Sequence, residues 1–108
     1  MEDDEPPFAC NVHGFSPAER KEHRALAARL AESVVTTNEL TDGYAFSLDT
    51  SKFSTVDLLA WLALERRCCP FFDIGFEWRR NGGPLVLHLK GRDGVKDFIR
   101  DEFPDNFR

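Results

Sequence analysis

Two runs of alternating residues joined by Asn81-Gly82 restrict the fold of this chain more than any other feature. Phe72, Ile74, Phe76 and Trp78 alternate with Asp73, Gly75, Glu77 and Arg79. Leu85, Leu87 and Leu89 alternate with Val86, His88 and Lys90. A period of two is the period of a strand. Asn-Gly supplies the two positive-φ positions of the turn whose twist matches a pair of strands. A two-residue turn pairs Trp78 with Leu85, Phe76 with Leu87 and Ile74 with Leu89. The apolar side chains then share one face, and Asp73 meets Lys90 on the other.

A second hairpin is predicted from Val34–Leu40 and Tyr44–Leu48 around Asp42-Gly43. A three-residue loop, Thr41-Asp42-Gly43, puts Gly43 in the left-handed region. It aligns Val34, Thr36, Asn38 and Leu40 with Tyr44, Phe46 and Leu48. A two-residue loop instead sets Thr37 and Glu39 on that face, which is less apolar.

Three helices are expected around these strands. Ser16, Pro17 and Glu19 read as N-cap, first position and capping box, followed by His23, Leu26, Ala27, Leu30 and Val34 on one stripe. Ser54 caps the second helix, with Phe53 and Leu58 as a hydrophobic staple, and Pro70 ends it. Asp93 is expected to cap the third, whose stripe is Val95, Phe98, Ile99 and Phe103, and Pro104 to stop it. The fold class is therefore α+β: a four-stranded antiparallel sheet of two β-hairpins joined by a helix, with three helices packed mainly on one face. The strand order 1-2-4-3 fits all local directions. Residues 1–15 read as an acidic tail and an N-terminal segment lying back on the domain, and 16–108 as one α+β domain.

Composition narrows the function. The 108 residues carry a net charge of −5, which disfavours binding to a phosphate backbone, so no nucleic-acid partner is expected. No apolar run approaches the ~18 residues of a membrane helix. The opening Met-Glu-Asp-Asp-Glu is unlike a secretory signal, and three cysteines, an odd number, suit a reducing compartment. A cytoplasmic location follows as the expectation.

The segment Glu65-Arg66-Arg67-Cys68-Cys69-Pro70 is chemically the most unusual. Spacings of three and four put Glu65, Cys68 and Cys69 on one side of the second helix, beside Leu58, Trp61 and Leu62. A carboxylate in an apolar stripe requires a partner or a proton, and Arg66, Arg67 or a metal could serve. Thiolates select zinc and other thiophilic ions. Cys10 and His13, spaced C-x-x-H, could close over the pair, giving a candidate metal set of Cys10, Cys68, Cys69, Glu65 and His13. No paired C-x-x-C element accompanies it. A Cys68–Cys69 disulfide is disfavoured, because neighbouring Cα atoms stand only about 3.8 Å apart; either thiol could instead reach Cys10. The plainer reading is that these cysteines fill core, since buried Cys is common.

His23 reads as a satisfied buried histidine, and His88 as a side chain on the wetter sheet face opposite Gly75. No catalytic triad, phosphate loop or acid–base pair is present, so a non-enzymatic role is expected. A thiol oxidoreductase would need a depressed cysteine pKa. The near-encircling apolar surface of the second helix suggests a homodimer or a partner-binding module, with Trp61 and Leu64 as its anchors.

From Ser16 to about Phe103 the chain resembles a family of small bacterial proteins with no assigned activity. The likeness rests on Pro17-Ala18-Glu19-Arg20, Asp42-Gly43-Tyr44-Ala45-Phe46 and Leu64-Glu65-Arg66-Arg67-Cys68-Cys69-Pro70-Phe71-Phe72. It continues in Gly82-Gly83-Pro84 and Gly91-Arg92-Asp93-Gly94-Val95-Lys96-Asp97-Phe98. Cys10 sits where that pattern tends to have a cysteine. The E-R-x-C-C-P-F element implies one fold unit and draws attention to the cysteines without naming a reaction.

Overall fold

Each strand of the second hairpin finds its expected partner. The computed structural model describes residues 8–9 and 13–107. The elements run α1 (Pro17–Ser33), β1 (Val34–Leu40), β2 (Gly43–Leu48), α2 (Thr55–Cys68), β3 (Asp73–Trp78), β4 (Leu85–Lys90) and α3 (Val95–Glu102), followed by a 3-10 turn (Pro104–Phe107). The four strands form one antiparallel sheet in the order β1-β2-β4-β3. Asn81 and Gly82 both take positive φ, 60° and 71°. Trp78 then faces Leu85, Phe76 faces Leu87, Ile74 faces Leu89 and Asp73 faces Lys90. The fold is α+β, with three α-helices among the described residues.

The first hairpin differs from the three-residue expectation. Leu40 pairs with Gly43, so the loop is Thr41-Asp42 alone, and Gly43 does not take positive φ. Glu39 and Thr37 consequently face Tyr44 and Phe46. Two features make this register tolerable. Glu39 lies near the end of an edge strand, where its carboxylate accepts from Lys96 of α3 at 2.8 Å. An irregularity between Val34 and Thr36 then shifts the parity and returns Val34 to face Leu48. Gly43 is needed for a different reason: a Cβ there would stand 2.0 Å from the Leu89 carbonyl oxygen.

The first two helices begin where their caps dictate. Ser16 Oγ accepts from the Glu19 N–H at 3.1 Å, and the Ser16 N–H donates to Glu19 Oε1 at 2.9 Å. Ser54 Oγ accepts from the Asp57 N–H at 3.1 Å. Asp93 does not cap α3; Gly94 occupies that position at φ 99° with no side-chain cap. The chain after Pro104 packs back on the sheet, with the Phe107 ring 4.7 Å from that of Tyr44.

One core holds the helices to the sheet, and it includes Leu30, Phe46, Leu58, Trp61, Leu87, Ile99 and Phe103. Of the N-terminal segment, the Phe8 ring lies 5.1 Å from Phe71, and Phe15 is buried. The Arg67 guanidinium ties α2 to α1. It donates to Glu19 Oε2 at 2.7 Å and to the Gly14 carbonyl at 2.8 Å, and it lies 4.8 Å from the centre of the Phe15 ring.

The anchors expected for a dimer are used within the chain: Trp61 is 0% and Leu64 6% exposed. Both belong to the buried core cluster that joins the helices to the sheet. The large apolar side chains of α2 left in solvent are Val56 and Leu59, and the edge strand β3 exposes Phe76 and Trp78. No described helix is long and apolar enough to cross a membrane.

Candidate metal centre

Among the described residues Glu65 is the charged one that the fold buries most completely, at 1% exposure. It stands one turn after Trp61 and one turn before Cys69, on the inner side of α2. An isolated carboxylate there would cost several kcal/mol (~2–7 even for an uncharged polar group). Its partner is neither arginine proposed from the sequence. Arg67 is engaged by Glu19, and the side chain that meets Glu65 is His23 of α1, whose Nε2 lies 2.7 Å from Glu65 Oε1. His23 is itself buried, beside the Phe15 ring.

Cys69 is fixed beneath Glu65 by the last bond of the helix, in which its N–H donates to the Glu65 carbonyl at 2.7 Å. Its thiol also hydrogen-bonds the Glu65 carboxylate. The third member comes from the other end of the chain. Glu102, the last residue of α3, brings a carboxyl oxygen to the same place. One donor atom from each of Glu65, Cys69 and Glu102 lies within 4.8 Å of the other two. Glu102 is an exposed residue overall, yet this carboxyl end is drawn inward.

The electrostatics follow from three acidic groups sharing a poorly solvated corner. Burial pushes the Cys69 thiol well above the usual range, and the charges of Glu65 and Glu102 push it further. Burial likewise raises the Glu102 carboxyl, helped by the Glu65 charge and opposed by His23. The thiol is thus held protonated, the reverse of what an activated nucleophile or redox cysteine needs. A divalent cation would reverse that balance, stabilising all three groups in their anionic forms.

Beside the cluster is a cavity of about 180 Å³, walled by Ala27, Ala28 and Ala31 of α1, by Trp61 and Glu65, and by Glu102 through Asn106. The small alanine side chains leave this space. Two polar atoms on residues of its wall, Trp61 Nε1 and Asn106 Oδ1, are buried with no hydrogen-bond partner among the described residues. The other end of the Asn106 amide is placed, because its Nδ2 donates to the Ala31 carbonyl at 3.1 Å.

Of the five residues singled out by sequence, the structure brings Glu65 and Cys69 together. Cys68 is buried and disulfide-bonded, so its sulfur is not a thiolate donor. His13 is exposed, and Cys10 lies outside the described residues. Sequence reasoning missed Glu102 and the pairing of His23. A signal for Glu102 did exist: Asp101-Glu102 ends a helix, where the macrodipole disfavours negative charge. Against family models, curated proteins and solved structures, the chain finds no match.

Proposed function

We propose that this domain binds a single divalent, borderline-soft cation, zinc in the first instance, through Glu65, Cys69 and Glu102. The observation that carries the reading is the convergence of these three donors within 4.8 Å, from two helices distant in sequence. One thiolate with two carboxylates suits zinc, which accepts sulfur and oxygen donors alike. His23 would not be a ligand. Its bond to one oxygen of Glu65 orients the carboxylate, as hydrogen-bonded partners of metal ligands commonly do. Binding would displace the Cys69 proton, so uptake releases acid. The reading assigns no reaction to the domain.

The test is a zinc titration against a chromophoric chelator, on protein stripped of metal with its Cys68 disulfide left intact. The wild-type chain should take up one ion. Cys69→Ser and Glu102→Gln should each weaken uptake by more than about tenfold, the least expected when a metal site loses a supporting group. No zinc above background in the wild type would reject the reading, as would unchanged affinity in both variants.

A further inference from the structure

We infer that this centre is open: the cation keeps a coordination position facing the cavity, and that position takes a small neutral ligand with an oxygen or nitrogen donor. The inference rests on the metal reading above and goes beyond it. Three observations lead there.

The first is the number of donors. Among the described residues the cluster offers three, Glu65, Cys69 and Glu102. Closed structural zinc sites have four protein ligands, whereas sites that bind or activate something else have three and leave the fourth position to it. The second is room. The adjoining cavity of about 180 Å³ shares Glu65 and Glu102 with the cluster. At ~30 Å³ per water molecule it could hold about six waters, or one small organic molecule.

The third is the pair of orphaned atoms on wall residues. Trp61 Nε1 is a donor and Asn106 Oδ1 an acceptor, both buried and both without a partner among the described residues. Burying such groups unsatisfied costs ~1–3 kcal/mol each; both atoms are closed to solvent, so an occupant with one acceptor and one donor gains from them only where the wall gives way to admit it. Water, a small alcohol, an amide or an azole has this character. Charge selects among ligands further. Two carboxylates and a thiolate around a dication already sum to one negative charge, so an anion entering the fourth position meets repulsion and a neutral molecule does not.

The experiment uses the full chain loaded with Co²⁺ in place of zinc, its visible spectrum reporting the coordination shell. Imidazole is the neutral probe and azide the anionic one. Imidazole should shift the cobalt bands saturably, at least tenfold more tightly than azide. Ala28→Leu fills the cavity from an exposed position on α1. It should leave Co²⁺ uptake intact and weaken imidazole at least tenfold, and Trp61→Phe should weaken it without loss of the metal. If Co²⁺ binds and neither probe moves the bands, the centre is closed and this inference fails while the metal reading stands. If azide binds more tightly than imidazole, the neutral-ligand assignment is overturned. If Co²⁺ does not bind, both readings fall. Should Trp61→Phe not fold, Ala28→Leu alone decides the matter, since an unchanged imidazole response there also overturns the proposal.

Discussion

Glu102 ends α3, where the helix already presents partial negative charge, and its carboxyl is brought beside that of Glu65. In metal-free protein this arrangement opposes folding; with a dication present it becomes the reason for binding. Glu102→Gln removes the charge and keeps the shape. In the presence of a chelator it should therefore raise stability by ~0.5 kcal/mol once solvent screening of a partly exposed group is allowed for. That is a rise of about 2–4 °C in Tm by calorimetry, while zinc affinity falls. A lower Tm for the variant in chelator would mean that the carboxyl supports the fold rather than straining it. At this scale the sequence was half legible. Glu65 and Cys69 could be paired because helical spacing is local arithmetic. His23 and Glu102 could not be joined to them, because 42 residues separate His23 from Glu65 and only the tertiary fold closes that distance.

Elements were legible where turn chemistry and side-chain period agreed. The β3–β4 hairpin satisfies both at once, with Asn81-Gly82 in positive φ and Ile74, Phe76, Trp78, Leu85, Leu87 and Leu89 on one face. The β1–β2 hairpin went the other way because apolar alternation in β1 is weak. In the register found, Glu39 pairs with Lys96 and Gly43 approaches β4 closely, and both contacts depend on elements far along the chain. The α1–α2 join has a consequence for acid stability. Arg67, and then the Ser16 N–H, hold the Glu19 carboxyl down from 4.5 to about 2. A carboxyl depressed by folding stabilises the protein above its unfolded value, and that contribution disappears as pH falls from 4.5 towards about 2. Glu19→Gln should keep the capping box, since glutamine serves at that position, but lose the ion pair. Its Tm should fall less steeply than that of the wild type across this acid range. Parallel curves would show that solvent already screens the pair to nothing.

At the scale of the whole molecule, the centre lies where three helices meet. His23 comes from α1, Glu65 and Cys69 from α2 and its cap, and Glu102 from α3. Here α1 packs on α2, with His23 meeting Glu65 across the join, while α3 rests on β2 and β4. A cation held by α2 and α3 would therefore link the helical pair to the sheet-bound helix, and the folded state alone would assemble its ligands. An ion that binds only the folded chain stabilises it by mass action, ~2.7 kcal/mol at a hundredfold excess over Kd. For a domain of this size that corresponds to a rise of about 10–20 °C in Tm. Calorimetry at increasing free zinc should show Tm climbing with the logarithm of concentration in the wild type and flat in the doubly substituted chain Cys69→Ser/Glu102→Gln. An equal climb in both would place the ion elsewhere, on exposed side chains such as His13. It would also leave the buried acids of the three-helix corner as a structural cost without a ligand to relieve it.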